Sequence, residues 1–141
     1  MKMSRRLVLG IAFALLLLGA ALLLVSPFPA RGSVKTVKLR FFAPTDLPIT
    51  ALEAHLDNKQ TDQFFTLLGS SRRMWLPMKM IALGGAQIEA DNGKTSMVGL
   101  LTVPGKYDAF QNEGWQFKLQ PPGQIEKFLA SLPASPVRKE P

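Results

Sequence analysis

Nineteen consecutive residues near the N-terminus, Leu7 to Val25, carry no charge: "LVLGIAFALLLLGAALLLV". A bilayer core takes about 20 apolar residues in a helix, whereas the apolar part of a cleaved signal peptide is usually ~7–15 residues long. No small-x-small cleavage site follows the run. A cut after Ala30 would put Phe28 at the −3 position, and Pro27 and Pro29 disfavour cuts nearby. The sequence therefore predicts a retained signal-anchor. Residues 1–6 form a short cytoplasmic tail with Lys2, Arg5 and Arg6, and residues 7–25 a single transmembrane span. A linker follows at 26–33, then an extracytoplasmic β domain at 34–132 and a disordered tail at 133–141. The basic tail prefers the cytoplasmic side, which places the domain on the periplasmic, extracytoplasmic side of the inner (cytoplasmic) membrane. The absence of cysteine agrees with an oxidising compartment.

Seventeen Lys/Arg against ten Asp/Glu give the chain a charge of +7. Three of those cations precede the apolar run, so residues 26–141 carry only +4, scattered along the chain. No basic stripe interleaved with aromatics appears, which argues against nucleic acid as a partner. Lys35, Lys38 and Arg40 lie close enough behind the span to meet anionic headgroups, although a solvated strand face explains them equally well.

Beyond "SPFPARGS", the apolar period is two. In "VKTVKLRF", Val37, Leu39 and Phe41 alternate with Lys38 and Arg40, and in "ITALEAHLDNK" Leu52, Ala54 and Leu56 alternate with Glu53, His55 and Asp57. "FAPTDLPI" between them reads as a turn region, and Asp57-Asn58 as a turn closing the second strand. "TDQFFTLLGSS" is open between strand and short helix, with Thr61 or Asp62 as the cap and Gly69 as the stop. Asn92-Gly93 between apolar runs predicts a hairpin with a type I′ turn, and Pro104-Gly105 a type II turn. "GWQFKLQ" predicts a strand with Trp115, Phe117 and Leu119 inward. Ile125, Phe128, Leu129 and Leu132 then follow a helical period, the stripe of a short amphipathic helix. Together these elements predict a mainly β fold: a small antiparallel β-sandwich, Ig-like, with one N-terminal transmembrane helix and a short C-terminal helix.

One histidine and no thiol remove most routes to nucleophilic or metal-hydrolytic catalysis. His55 falls on the polar side of its strand, and no element pairs carboxylates as general acid and base. The expectation is a protein that is not an enzyme.

The densest cluster of soft side chains is "RRMWLPMKM", residues 72–80. Read as a strand, it puts Met74, Leu76, Met78 and Met80 on one face, with the sulfurs of Met78 and Met80 side by side. Thioether sulfur selects Cu(I). A bulge at Pro77 would bring Trp75 onto the same face to cover the cation, and Met97 is a candidate further ligand. Met74, Trp75, Met78, Met80 and Met97 are therefore the candidate metal residues, with Cu(I) as the cofactor. Packing competes with this reading, because methionine also fills irregular cores and rests on aromatics.

"WLPMKM" resembles the tryptophan–x–x–methionine–x–methionine segment of small periplasmic copper/silver chaperones. That resemblance implies an indole cap over Cu(I), with Trp75, Met78 and Met80 in the matching positions and no histidine in the upstream one. More broadly, residues 34–120 are similar to the YtkA-like and FixH-like anchored β-sandwich domains. The features that carry this are a single N-terminal span, an opening strand, "LPMKM" in the middle, then "PGKY" and a closing "GWQFKLQ". The resemblance implies association with copper proteins or oxidase assembly. The sequence thus leads to two expectations. One is a membrane-tethered accessory domain whose partner is a membrane protein or envelope complex. The other is a Cu(I)-handling module using Met78, Met80 and Trp75.

Overall fold

The computed structural model describes residues 4–24, 28–42 and 51–137. The turn region expected at "FAPTDLPI", apart from Phe42, lies outside them, as do the ends of the chain and residues 25–27. Helix α1 (Arg5–Leu24) occupies the uncharged run. The amide of Leu7 donates to the Ser4 hydroxyl at 3.3 Å, which caps the first turn. Twenty residues rising about 1.5 Å each make a rod of ~30 Å, the thickness of a hydrocarbon core. Its leucines from Leu7 to Leu22 and Phe13 are exposed, so this is an apolar helix long enough to cross a membrane.

The rest is mainly β, antiparallel and sandwich-like in its layering. The strands are β1 (Val34–Phe42), β2 (Ala51–His55), β3 (Arg72–Arg73), β4 (Ile81–Ala90), β5 (Thr95–Val103), β6 (Tyr107–Asn112), β7 (Trp115–Leu119) and β8 (Ser135–Pro136). Among the described residues they form one sheet in the order β3-β7-β6-β5-β4-β1-β2-β8. Helices α2 (Asn58–Ser70) and α3 (Gln124–Ala130) supply the facing layer. Alternation does what the sequence predicts: Val37, Leu39 and Phe41 of β1 are buried beside Ala86 and Ile88 of β4 and Val98 and Leu100 of β5. Lys38 and Arg40 face outward.

Aromatic rings join the layers. Phe64 of α2 meets Phe110 of β6 edge-on at 6.0 Å and stacks on Phe128 of α3 at 5.9 Å. Such pairs contribute about 0.5–1.5 kcal/mol beyond the area they bury. Phe28, in the expected linker, is part of this packing, with its ring 5.0 Å from Phe117. The linker is therefore seated on the domain, and Arg31 ties it to α2 through Asp62 at 2.6 Å.

Local chemistry departs from expectation at four places. The α2 cap is Asp57, not Thr61 or Asp62: it accepts from the Gln60 amide while the Gln60 side chain accepts from its own, a full capping box. The Asn92-Gly93 hairpin forms, but only Gly93 takes positive φ. The Gly93 amide closes on Ala90 and the Lys94 amide donates to Asn92 Oδ1, the geometry of a three-residue loop rather than type I′. Ser135–Pro136, expected in a disordered tail, lie along Leu52 and Glu53 of β2. Finally, residues 74–80 are not a strand. Pro104-Gly105 behaves as expected, with Gly105 at φ 72° and the Lys106 amide closing on Val103.

Among the described residues, Thr61, Thr102, Asp108 and Asn112 are polar and buried. Asp108 of β6 has no solvent exposure and accepts from the Thr102 hydroxyl at 2.9 Å and the Ile125 amide at 2.8 Å. It satisfies an amide in the first turn of α3, whose own cap position is Gly123 and offers no side chain.

Candidate functional site

After two rungs of edge pairing with β7, the chain leaves the ladder at Met74, whose amide donates to the Gln116 carbonyl at 2.8 Å. Four residues on, the Met78 amide donates to Gln116 Oε1 at 2.8 Å, and Gln116 Nε2 donates to the Met78 carbonyl at 3.0 Å. One residue of β7 thus holds both ends of a loop, and Trp75, Leu76 and Pro77 project between them. Trp75 is 72% exposed and Leu76 77%. Pro77, lacking an N–H, cannot extend a ladder, and the Gln116 amide supplies the pairing the backbone gives up.

Met78 rests on the outer face of the sheet. Its sulfur accepts a hydrogen bond from the Tyr107 hydroxyl at 2.8 Å, and the Lys118 ammonium sits 4.6 Å from the Tyr107 ring centre. Met78 is half-exposed, while Met74 and Met80 are partly buried. Met97 lies elsewhere on that face, on β5 opposite Gln87, lining a groove with Lys38, Arg40 and Gly85. Trp75 points to solvent. The tyrosine hydroxyl takes one of the two lone pairs of the Met78 sulfur. Among the described residues, no group of three or more His, Cys, Asp or Glu comes together to hold an ion. Tyr107 and Gln116 escaped the sequence reading, because nothing local marks a glutamine as the partner of a loop 38 residues upstream.

Two further surfaces stand out. On β1 and β2, Glu53 lies 3.0 Å from Lys38, 3.3 Å from Arg40 and 3.4 Å from His55. The hydrogen bond from Lys38, with that from Arg40, holds its carboxyl below the usual carboxylate range, against a smaller opposing push from desolvation. His55 itself faces solvent. The other surface is an apolar groove of about 660 Å³ between the β1–β4 side of the sheet and the segment from α3 to Ala134. Phe42, Leu52, Leu83, Leu129 and Leu132 line it, with Glu126 as its acidic member. Phe42 and, close by in sequence, Ile81 are exposed.

Comparison with protein-family models, curated proteins and solved structures finds no match.

Proposed function

We propose that this chain is a membrane-tethered, non-enzymatic accessory domain that docks on a larger envelope complex, with α1 as its anchor in the inner membrane and the domain on the extracytoplasmic side. The observation that carries the reading is the apolar groove beside Phe42 and Leu83. Phe42, 51% exposed, and the half-buried Leu52 and Leu83 forgo part of the ~1.5–3 kcal/mol that full burial of such a side chain brings. An apolar segment of a membrane-protein partner would recover part of it. The pattern resemblance to YtkA-like and FixH-like domains belongs to the same proposal.

A photoreactive residue placed at Ala82, which lines the groove, tests this in native membranes. A discrete protein adduct from Ala82, absent from the same probe at exposed Lys59 on α2, is the expected result. Lipid adducts alone, or none, would remove the docking reading. The soft-metal alternative has one supporting observation, the thioether of Met78, 47% exposed.

A further inference from the structure

The chain's two tryptophans share one edge of the sheet. Trp75 follows two residues after the Arg73↔Phe117 pair, where the chain has just left the ladder, and Trp115 precedes Phe117 by two residues on β7; Trp115 is itself 42% exposed. Arg73 lies against Trp115, its guanidinium 4.6 Å from the Trp115 ring centre and 5.7 Å from that of Phe117. This edge is also where the chain arrives from α1. The Phe28 ring lies against that of Phe117, tilted by 60°, and only residues 25–27 separate it from Leu24. Four Cα steps of at most ~3.6 Å bridge about 14 Å, so the Phe28 side of the domain is held close to the C-terminal end of α1.

The projecting tip has the chemistry of a bilayer interface. Tryptophan concentrates at headgroup depth because its ring is apolar and its N–H is polar. Leu76 and Pro77 continue the apolar tip, and Arg72, Arg73 and Lys79 flank it. From residue 63 to residue 88 there is no acidic side chain; Glu113, in the β6–β7 turn, is the nearby exception. A basic frame around an apolar tip complements anionic headgroups. The double clamp by Gln116 holds the tip in place before any contact, so insertion orders little further chain.

We infer that the Trp75-Leu76-Pro77 loop, with Trp115 beside it, inserts into the headgroup region of the bilayer that α1 spans, so that the domain lies against the membrane instead of swinging free. The inference rests on α1 being retained as an anchor. It concerns a surface separate from the docking groove.

Native fluorescence tests it, because the chain has two tryptophans and none lies in α1. The full chain is reconstituted into phosphatidylcholine vesicles, with or without phosphatidylglycerol, containing lipid brominated high on its acyl chains. Trp115→Phe isolates Trp75 and keeps an aromatic ring under Arg73; Trp75→Phe isolates Trp115. The expected result is a blue-shifted Trp75 emission, quenched by the brominated lipid and shielded from acrylamide. Both effects should strengthen with phosphatidylglycerol and weaken in an Arg72→Gln/Lys79→Gln variant. A full-length chain whose Trp75 emits as a water-exposed indole, with full acrylamide access and no lipid quenching, overturns the insertion. Shielding in native membranes without quenching in lipid vesicles also overturns it, in favour of a protein cover. The intact mass of the chain purified from membranes reports the anchor independently: loss of the N-terminal helix overturns the tethered reading itself.

Discussion

Gln116 does more for this surface than any methionine. Its main-chain carbonyl holds Met74 and its side-chain amide holds both polar groups of the Met78 backbone. Replacing it with alanine removes two neutral hydrogen bonds near the surface, each worth about 0.5–1.5 kcal/mol. Gln116→Ala is therefore expected to cost ~1–2 kcal/mol in denaturant unfolding and to speed hydrogen exchange at the Met78 amide, with the amides of β5 unaffected. Unchanged exchange at Met78 would mean that Tyr107 and Met74 alone keep the loop in place. The tip residues Trp75 and Leu76 were legible as soft and apolar from the sequence. Their exposure was not, because the clamp that exposes them comes from another strand.

At the scale of elements, periodicity proved a sound guide and turn chemistry a weaker one. β1 and β2 were readable because Val37, Leu39, Phe41 and Ala54 alternate with charged residues, and burial of one sheet face enforces that alternation. The helix α2 was ambiguous in "TDQFFTLLGSS" because its cap lies four residues earlier at Asp57, where the local signal of Asp57-Asn58 is that of a turn. Pairing β1 with β2 also gathers Lys38, Arg40 and Glu53 on the outer face, through the register Lys38↔His55 and Arg40↔Glu53. Since these cations lower the folded-state pKa of Glu53, their contribution is present above the pKa of an unfolded glutamate. It is lost as pH falls through the folded value. An NMR titration is expected to place the Glu53 midpoint below that of an unstructured glutamate, and Lys38→Gln to move it back up. A midpoint insensitive to Lys38→Gln would show that the contact does not persist in solution.

For the whole molecule, the two functional expectations part at one measurement. Anaerobic titration of the full chain with Cu(I) against a competing chelator is expected to show no stoichiometric site, since Met97 lies apart on β5 and the Tyr107 hydroxyl already engages one lone pair of the Met78 sulfur. One equivalent of tightly held Cu(I), lost in a Met78→Leu/Met80→Leu variant that still folds, would make the loop a metal site instead. The sequence by itself determined the apolar N-terminal helix, the mainly β class, the amphipathic stripe of α3 and the inward residues of the strands, except Trp115, which was expected inward and is 42% exposed. Each follows from a local pattern: an uncharged run, or a period of two or of 3.6. Tertiary structure alone decided that Phe28 joins the core, that Asp108 reaches across to the first turn of α3, and that the methionine segment leaves the sheet as a clamped loop. Those outcomes depend on hydrogen bonds and ring contacts between residues far apart in sequence, and chain closure, not local preference, brings them together.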